Sequence, residues 1–371
     1  MKFINHYNLG DKYMTNCRAT TADIMRRYVT YLLDGHTIKN IPIRTGTIEG
    51  YLRAVNDHFD AHDMPMPFSR KHKRQQATQL VVAQEKMQAA PARRQPLNDL
   101  MMEKMRHFAQ ENRFSFRACI WDFTALGKFG GFREQEFAME RPYAIRYYVL
   151  PNGDKVVRAF VLRNFLFYAD ELVRIPVHEA LRDRARVQRA GLQYDIQKNR
   201  QNGQVIAYVR VASHPAYCPV ELGLDICHRA IQLGQGTDDP LCVYRDHHGH
   251  KTYLTGTDIT KYYRFIAQLV MPSITGAELK LISTHSLRVY ACVILSEAGK
   301  QGPYIKLRLR WLSNCFEVYL RNTTIIAVQH GEAHSELHER LSQLASETAN
   351  MVHIVSDEGE YDSDFELDDE D

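Results

Sequence analysis

Apolar residues recur every three to four positions over much of the chain, and the places where that period stops or changes mark out its organisation. Thr20 or Thr21 can cap a helix through ADIMRRYVTYLLDG, where Ile24, Tyr28, Tyr31 and Leu32 share a face and Gly35 supplies a stop. A second helix is predicted from near Thr47, carried by Ile48, Tyr51, Leu52, Val55 and Phe59, and ended by the Pro65/Pro67 pair. The basic run Arg70-Lys71-His72-Lys73-Arg74 follows, then an apolar stripe in QATQLVVAQEKMQAA that predicts a helix to about residue 90. In PARRQP, residues 91–96, two prolines flank adjacent arginines; such a stretch cannot continue a helix and reads as an interdomain linker.

Beyond it, helices are predicted at about 98–111 and 115–128, the latter ending at Gly130-Gly131. The period then falls to two. RYYVLPNGDKVVRAFVL carries a Pro-Asn-Gly-Asp turn, and LQYDIQKNRQNGQVIAYVRVA carries Asn-Gly between alternating runs, so each predicts a hairpin. The aromatics of FVLRNFLFYADE and the Tyr262-Tyr263 pair sit at core-like spacing. Helical patterns return in PVELGLDICHRAIQL, TDITKYYRFIAQLV, SLRVYACVILSEAG and FEVYLRNTTIIAVQ, and residues 331–350 read as a polar amphipathic helix. The expected class is mainly α with a small antiparallel β-sheet (α+β). The last fifteen residues, 357–371, are too acidic and too poor in apolar groups to fold, and a disordered tail is expected over 351–371.

Composition narrows this picture. With 371 residues, 44% hydrophobic and 25% charged, the chain is expected to form two globular domains. No window approaches the ~18 apolar residues of a membrane span, and the first residues lack the apolar core of a secretory signal, which predicts a soluble intracellular protein. Seven scattered cysteines, none in a close pair, argue for reduced thiols and against a disulfide framework or a zinc module. His247-His248-Gly249-His250 is read as a polar turn before a strand, and no metal is expected. The net charge of +3 hides an asymmetry, because residues 357–371 hold ten acids and no base, leaving 47 bases against 34 acids, or +13, in the rest. Such a body suits a polyanionic partner, although a solvated basic surface explains the charge as well.

The candidate chemistry starts at Thr284-His285-Ser286-Leu287-Arg288. His and Arg three apart share a helix face, so both reach one anionic group. An exposed, salt-bridged helix start would look the same, yet of 17 histidines only His285 is followed by Arg at that offset. Downstream, Arg310-Trp311-Leu312-Ser313-Asn314-Cys315-Phe316-Glu317-Val318-Tyr319-Leu320-Arg321 places a Trp 23 residues after Arg288 and a Tyr eight further on. This stretch resembles the C-terminal box of the tyrosine recombinases, in the R-W-x-S-x-x-F-x-x-Y-[IL]-R form of crypton- and DIRS-like eukaryotic mobile elements. The intervening VYACVILSEAGKQGPYIKLRL is similar to that family's helix, glycine turn and helix. Gly131-Phe132-Arg133-Glu134-Gln135-Glu136 matches the family's earlier G-x-R-x-x-E, a motif that alone would read as a structural ion pair. The resemblance covers roughly residues 94–330 and touches the helical unit before it only faintly. It departs in one respect: many members have Gly just before the Arg-Trp position, where this chain has Leu309.

The resemblance implies a helical core-binding DNA-clamp domain over 1–90, a linker at 91–96, a catalytic domain with a C-terminal helix over 97–350, and the tail. It implies that Tyr319 attacks a phosphodiester to leave a 3′-phosphotyrosine, that Arg133 and Arg288 neutralise the phosphorane, and that His285 takes the phenolic proton. Trp311 would donate from its indole nitrogen, Glu136 would orient its neighbours, and Lys198, on the second hairpin, would protonate the leaving 5′-oxygen; Arg200 is the alternative. No cofactor is needed, since the phosphotyrosine keeps the bond energy. Arg70, Lys71, Lys73, Arg74, Arg93 and Arg94 are candidate DNA contacts, and residues 70–74 also fit a nuclear-import signal. The implied partners are double-stranded DNA and further copies of the chain, as a tetramer on DNA, with no membrane. Residues 331–350 would dock on a neighbouring protomer or on their own domain. Localisation would be nuclear in a eukaryote and cytoplasmic otherwise. Two other readings stand beside the mobile-element enzyme: a domesticated, non-cleaving DNA-binding descendant, and a monomeric type IB topoisomerase.

Overall fold

A computed structural model describes residues 3, 6–9, 18–36, 43–64, 76–87, 93–149, 153–170, 173–197, 202–320, 339–340 and 342–343. The chain divides into two compact units, Met1–Ala92 and Arg93–Asp371.

In the first unit, α3 (Gln76–Met87) packs on both α1 (Arg18–Leu33) and α2 (Thr45–Asp60). Met25, Val29, Tyr31, Leu32, Ile48, Leu52, Ala77 and Val81 form its core. The threonines expected to cap α1 lie inside it, because Arg18 and Ala19 are good helix formers and carry the helix further upstream. Gly35 follows the helix with φ 84°, the left-handed conformation that favours glycine. Tyr51, expected on the apolar face, is exposed, while Ile48, Leu52 and Phe59 turn inward. Arg70, Lys71, Lys73 and Arg74 lie outside the described residues.

The second unit is built around α5 (Phe116–Gly130), in which every residue from Ala118 to Gly127 is buried. A helix buried all round must satisfy its polar side chains internally. Asp122 therefore pairs at 2.5 Å with Arg229 of α8 (Pro219–Gln232), and Thr124 Oγ1 lies 2.8 Å from the Tyr263 hydroxyl of α9 (Gly256–Val270). Around it pack α4 (Asp99–Ala109), α8 and α11 (His285–Glu297). Asn98 and Ser115 cap α4 and α5 through their side-chain oxygens.

Both expected hairpins form. β1 (Tyr148–Val149) pairs with β2 (Lys155–Val156), and β5 (Arg189–Tyr194) pairs with β6 (Gln204–Val209) from Arg189 opposite Val209 to Tyr194 opposite Gln204. The FLFY aromatics form a strand, β3 (Phe165–Tyr168), which with β4 (Arg174–Ile175) completes an antiparallel sheet of order β4-β3-β5-β6. The histidine-rich turn joins β7 (Val243–Arg245) to β8 (Lys251–Tyr253), and Asp246 accepts the backbone N–H groups of His248 and His250 there. Among the described residues no trio of His, Cys, Asp or Glu could hold a metal ion, and no helix is long and apolar enough to cross a membrane. The protein is thus mainly helical with small antiparallel sheets.

Of the helix expected over 316–329, the described residues show only its start, which lies in a 3₁₀ turn, Asn314–Val318, that seats Phe316 at 1% exposure against Ala291, Cys292, Ile305 and Leu309. Burying that ring forces the tighter turn. Residues 321–338 and the acidic tail lie outside the described residues, as does all but a few positions of the helix expected over 331–350.

Candidate active site

The site is assembled from three helix ends. The first is the exit of α5. Gly131 takes φ 56° there, a conformation that favours glycine, and a Cβ on it would lie 3.0 Å from Leu309 Cδ2 and have to press that side chain aside. The chain then buries Phe132 and starts a short helix, α6 (Glu134–Phe137), at Arg133. Glu136 reaches back to accept the Arg133 backbone N–H at 2.9 Å, as a third-position acid does in a capping box, and its other oxygen accepts Arg133 Nη1 at 3.1 Å.

The second is the entry of α11. Thr284 precedes it, its hydroxyl donating to Glu134 at 2.6 Å, and the helix opens on His285 with Arg288 one turn along. Arg288 is buried. Its Nη1 donates to the Gly131 carbonyl at 2.5 Å and its Nη2 to the Leu309 carbonyl at 2.7 Å, while the guanidinium lies 4.3 Å from the Trp311 ring centroid.

The third is the exit of α12 (Gly302–Arg308). Arg310 N–H bonds to Leu307 O and Trp311 N–H to Lys306 O, the paired bonds of a Schellman motif, whose left-handed position belongs to Arg310 at φ 57°. A non-glycine residue in that conformation costs about 1–2 kcal/mol. The bend points successive carbonyls at the two arginines: Leu309 O receives Arg288, and Arg310 O receives Arg133 Nη2 at 3.2 Å. The sequence left Leu309 in question at this turn; in the structure Leu309 is the C-cap, with its side chain buried and its carbonyl on Arg288, and the left-handed position that favours glycine falls to Arg310.

Arg310 is the residue that sequence reasoning missed. It is 1% exposed, grips Glu136 with both terminal nitrogens at 2.8 and 3.0 Å, donates to Gly130 O and Gln197 Oε1, and lies 3.6 Å over the Tyr194 ring. The only trace in the sequence is an arginine just past a helix end, where a Schellman turn ordinarily calls for glycine. Burial alone would raise the Glu136 carboxyl. The Arg310 charge and hydrogen bonds, together with the Arg133 N–H, outweigh it and hold the group below its ordinary value.

Tyr319 closes the constellation. Its hydroxyl lies 2.9 Å from His285 Nε2, and its ring centroid is 5.6 Å from the imidazole and 6.0 Å from Trp311. Burial, with the charges of Arg288 and Arg94 added, pushes His285 down to about 4, so the imidazole is neutral at pH 7. In its Nδ1–H tautomer it accepts the phenolic O–H at Nε2, which is the arrangement a base needs. Burial and the charges of Arg133 and Arg310 hold Arg288 down to about 9, against a smaller opposing effect of Glu136. Arg133 and Arg310 share the Glu136 carboxylate and Arg288 lies within reach of their charges, so the three guanidiniums and one carboxylate leave a net of two positive charges in a largely buried site. The Trp311 Nε1–H is shielded from solvent and finds no hydrogen-bond partner among the described residues.

The structure therefore brings together His285, Tyr319, Trp311 and Arg288 as one set of neighbours and Arg133 with Glu136 as another, the two anchored on the adjacent Leu309 and Arg310 carbonyls. Lys198 and Arg200 lie outside the described residues, although Gln197, next to Lys198 in the chain, touches Arg310. Arg93 and Arg94 belong to the second unit, where Arg94 Nη1 donates to the Lys280 carbonyl at 2.8 Å and its charge acts on His285. The linker expected over 91–96 is docked there from Arg93 onward: Gln95 N–H bonds to Leu281 O.

One pH dependence follows. The folded value of His285 lies below the ordinary 6.5, so the free protein keeps this base unprotonated until pH falls to about 4. The second-order rate of any reaction at Tyr319 that uses it is expected to stay flat from pH 7 to about 5 and to fall near 4. Over the window between 6.5 and 4 the unfolded chain binds the proton first, so folding stability also declines as pH drops. An inflection near 6.5 in the rate profile would show that the imidazole titrates as in water.

No protein-family model matches the sequence, and no curated protein matches it. Solved structures do resemble it. The integrase of transposon Tn1549 in complex with circular intermediate DNA gives a TM-score of 0.43 at 11% identity, covering 86% of this chain and 87% of that one. XerA recombinase gives 0.37 at 11%, covering 90% and 88%. A lambda integrase dimer bound to a COC′ core site gives 0.40 at 11%, covering 86% and 87%.

Proposed function

We propose that the chain is a tyrosine recombinase, a site-specific enzyme that cuts and rejoins DNA through a 3′-phosphotyrosine. The observation that carries this reading is the 2.9 Å contact between Tyr319 hydroxyl and a neutral His285, beside three guanidiniums of which two, Arg133 and Arg310, hold a single carboxylate and the third, Arg288, lies against the Trp311 ring. A phenol is a poor nucleophile at neutral pH because its ordinary pKa is ~10. Here a neutral imidazole stands ready to take its proton while two uncompensated positive charges wait for an anion.

In the proposed reaction Tyr319 Oη attacks phosphorus in line, its proton passing to His285 Nε2. The P–O5′ bond breaks, and Lys198 delivers a proton to the departing 5′-oxygen. Arg133 and Arg288 stabilise the charge on the non-bridging oxygens. Each guanidinium has five N–H donors, so fixing it through two leaves others for phosphate. The Trp311 Nε1–H supplies one more donor. Attack by the 5′-hydroxyl of a different strand reverses the chemistry and exchanges strands. The first unit, with Arg70, Lys71, Lys73 and Arg74, is read as the clamp that grips duplex DNA together with Arg93 and Arg94, and a tetramer on two duplexes as the working assembly. The form of the Trp311-to-Arg321 box supports an origin in a crypton- or DIRS-like mobile element, and with it a nuclear setting.

The test is covalent trapping. The full chain is incubated with a library of nicked duplexes and denatured, and the adduct is digested and mapped by mass spectrometry. DNA attached to the peptide bearing Tyr319 is the expected result, and sequencing it reports the target site. Duplex binding without any adduct would favour the non-cleaving descendant; attachment at another residue would overturn the assignment.

A further inference from the structure

We infer that Arg310 is a positioning residue that takes up the charge of Glu136 and so keeps Arg133 electrostatically available to an anion. Its burial excludes contact with substrate, so whatever it contributes passes through other groups. It also occupies a left-handed backbone position that glycine would fill without strain, so its side chain must repay that conformation.

The division of hydrogen bonds shows how. Glu136 gives both oxygens to Arg310, at 2.8 and 3.0 Å, and a single longer contact of 3.1 Å to the Arg133 side chain. A parallel two-bond pairing of this kind is the strongest arrangement a guanidinium and a carboxylate can make. With Arg310 in place the carboxylate is spent on a buried partner. Without it, the cation left on the carboxylate is Arg133, already in contact at 3.1 Å, and a full pairing there would cancel the charge the site presents. Two further contacts fix the clamp. Tyr194 stacks under the guanidinium, and Gln197, the residue before Lys198, accepts from it at 3.4 Å, tying the Arg133 turn to the start of the β5–β6 loop.

This inference deepens the recombinase reading but is tested first without cleavage. The probe is inorganic phosphate, titrated calorimetrically into the full chain, with thermal melting as a check on folding. Arg310→Gly suits the backbone and is expected to weaken phosphate binding about tenfold or more, because Glu136 then turns to Arg133. The decisive comparison is the double variant Glu136→Gln with Arg310→Gly. Having no carboxylate left to cancel Arg133, it is expected to recover phosphate affinity to within about threefold of wild type. A merely structural role predicts the opposite, a further loss in the double variant. Should Arg310→Gly not fold, Arg310→Lys keeps one positive charge opposite Glu136 but not the fork, and an intermediate loss is expected. Wild-type affinity in the single variants, no recovery in the double, or no phosphate binding by the wild type would each overturn the inference. If the phosphate pattern holds while the wild type forms no covalent adduct with duplex DNA, the clamp stands and the recombinase reading falls.

Discussion

Tyr319→Phe is expected to abolish covalent attachment to DNA, lowering adduct yield by at least ~10³-fold, while leaving duplex affinity within about twofold of wild type. The substitution removes one oxygen and nothing else. The ring still packs against Trp311 and the cluster around Phe316, so the lost hydrogen bond to His285 should cost only about 1 kcal/mol of stability. A gel assay of protein–DNA adduct after denaturation, set beside an equilibrium binding curve, separates the two effects. An adduct that persists in the Phe variant would remove Tyr319 as nucleophile.

Arg288→Gln is expected to slow adduct formation by about 10²–10³-fold, the usual consequence of deleting one preorganised donor to a developing negative charge. Its effect on folding should be small, for reasons specific to this site. The Arg288 charge is disfavoured by burial and by its arginine neighbours, so neutralising it relieves repulsion. A glutamine amide can still donate to one of the two carbonyls that Arg288 serves, Gly131 O or Leu309 O, and the other loses its bond. These contributions offset, and a melting temperature within a few degrees of wild type is expected. Single-turnover kinetics on a trapping duplex give the rate. A variant that cuts as fast as wild type would show that this guanidinium does not face the phosphate.

Most helices of the second unit were legible because their apolar period is long and uninterrupted, as in α8, α9 and α11. The β5–β6 hairpin was legible from Asn202-Gly203 between alternating runs, and Gly203 duly takes φ 79°. What escaped is instructive. Phe165, Leu166 and Phe167 are all buried, so β3 reads as a continuous apolar run with no alternation to reveal it. The start of α1 lies ahead of the threonines because a threonine is a good cap only where the helix would otherwise begin, and Arg18 and Ala19 prolong it. The 3₁₀ turn before Tyr319 answers to the pocket that receives Phe316, which is a tertiary demand. At the site, His285, Arg288, Trp311 and Tyr319 could be singled out because their spacing resembles a known box. Arg310 lay inside that same box and still gave no sign of its role, since a buried arginine with a left-handed backbone is dictated by Glu136 and Tyr194, which are 174 and 116 residues away in the chain.

The carbonyls that seat the two arginines at the end of α12 belong to neighbouring peptide groups, Leu309 for Arg288 and Arg310 for Arg133. Their mechanical fate is consequently shared. Unwinding this bend would take one anchor from each cation at once, leaving Arg288 on Gly131 O and Arg133 on Glu136, so the geometry of both is tied to the same few bonds.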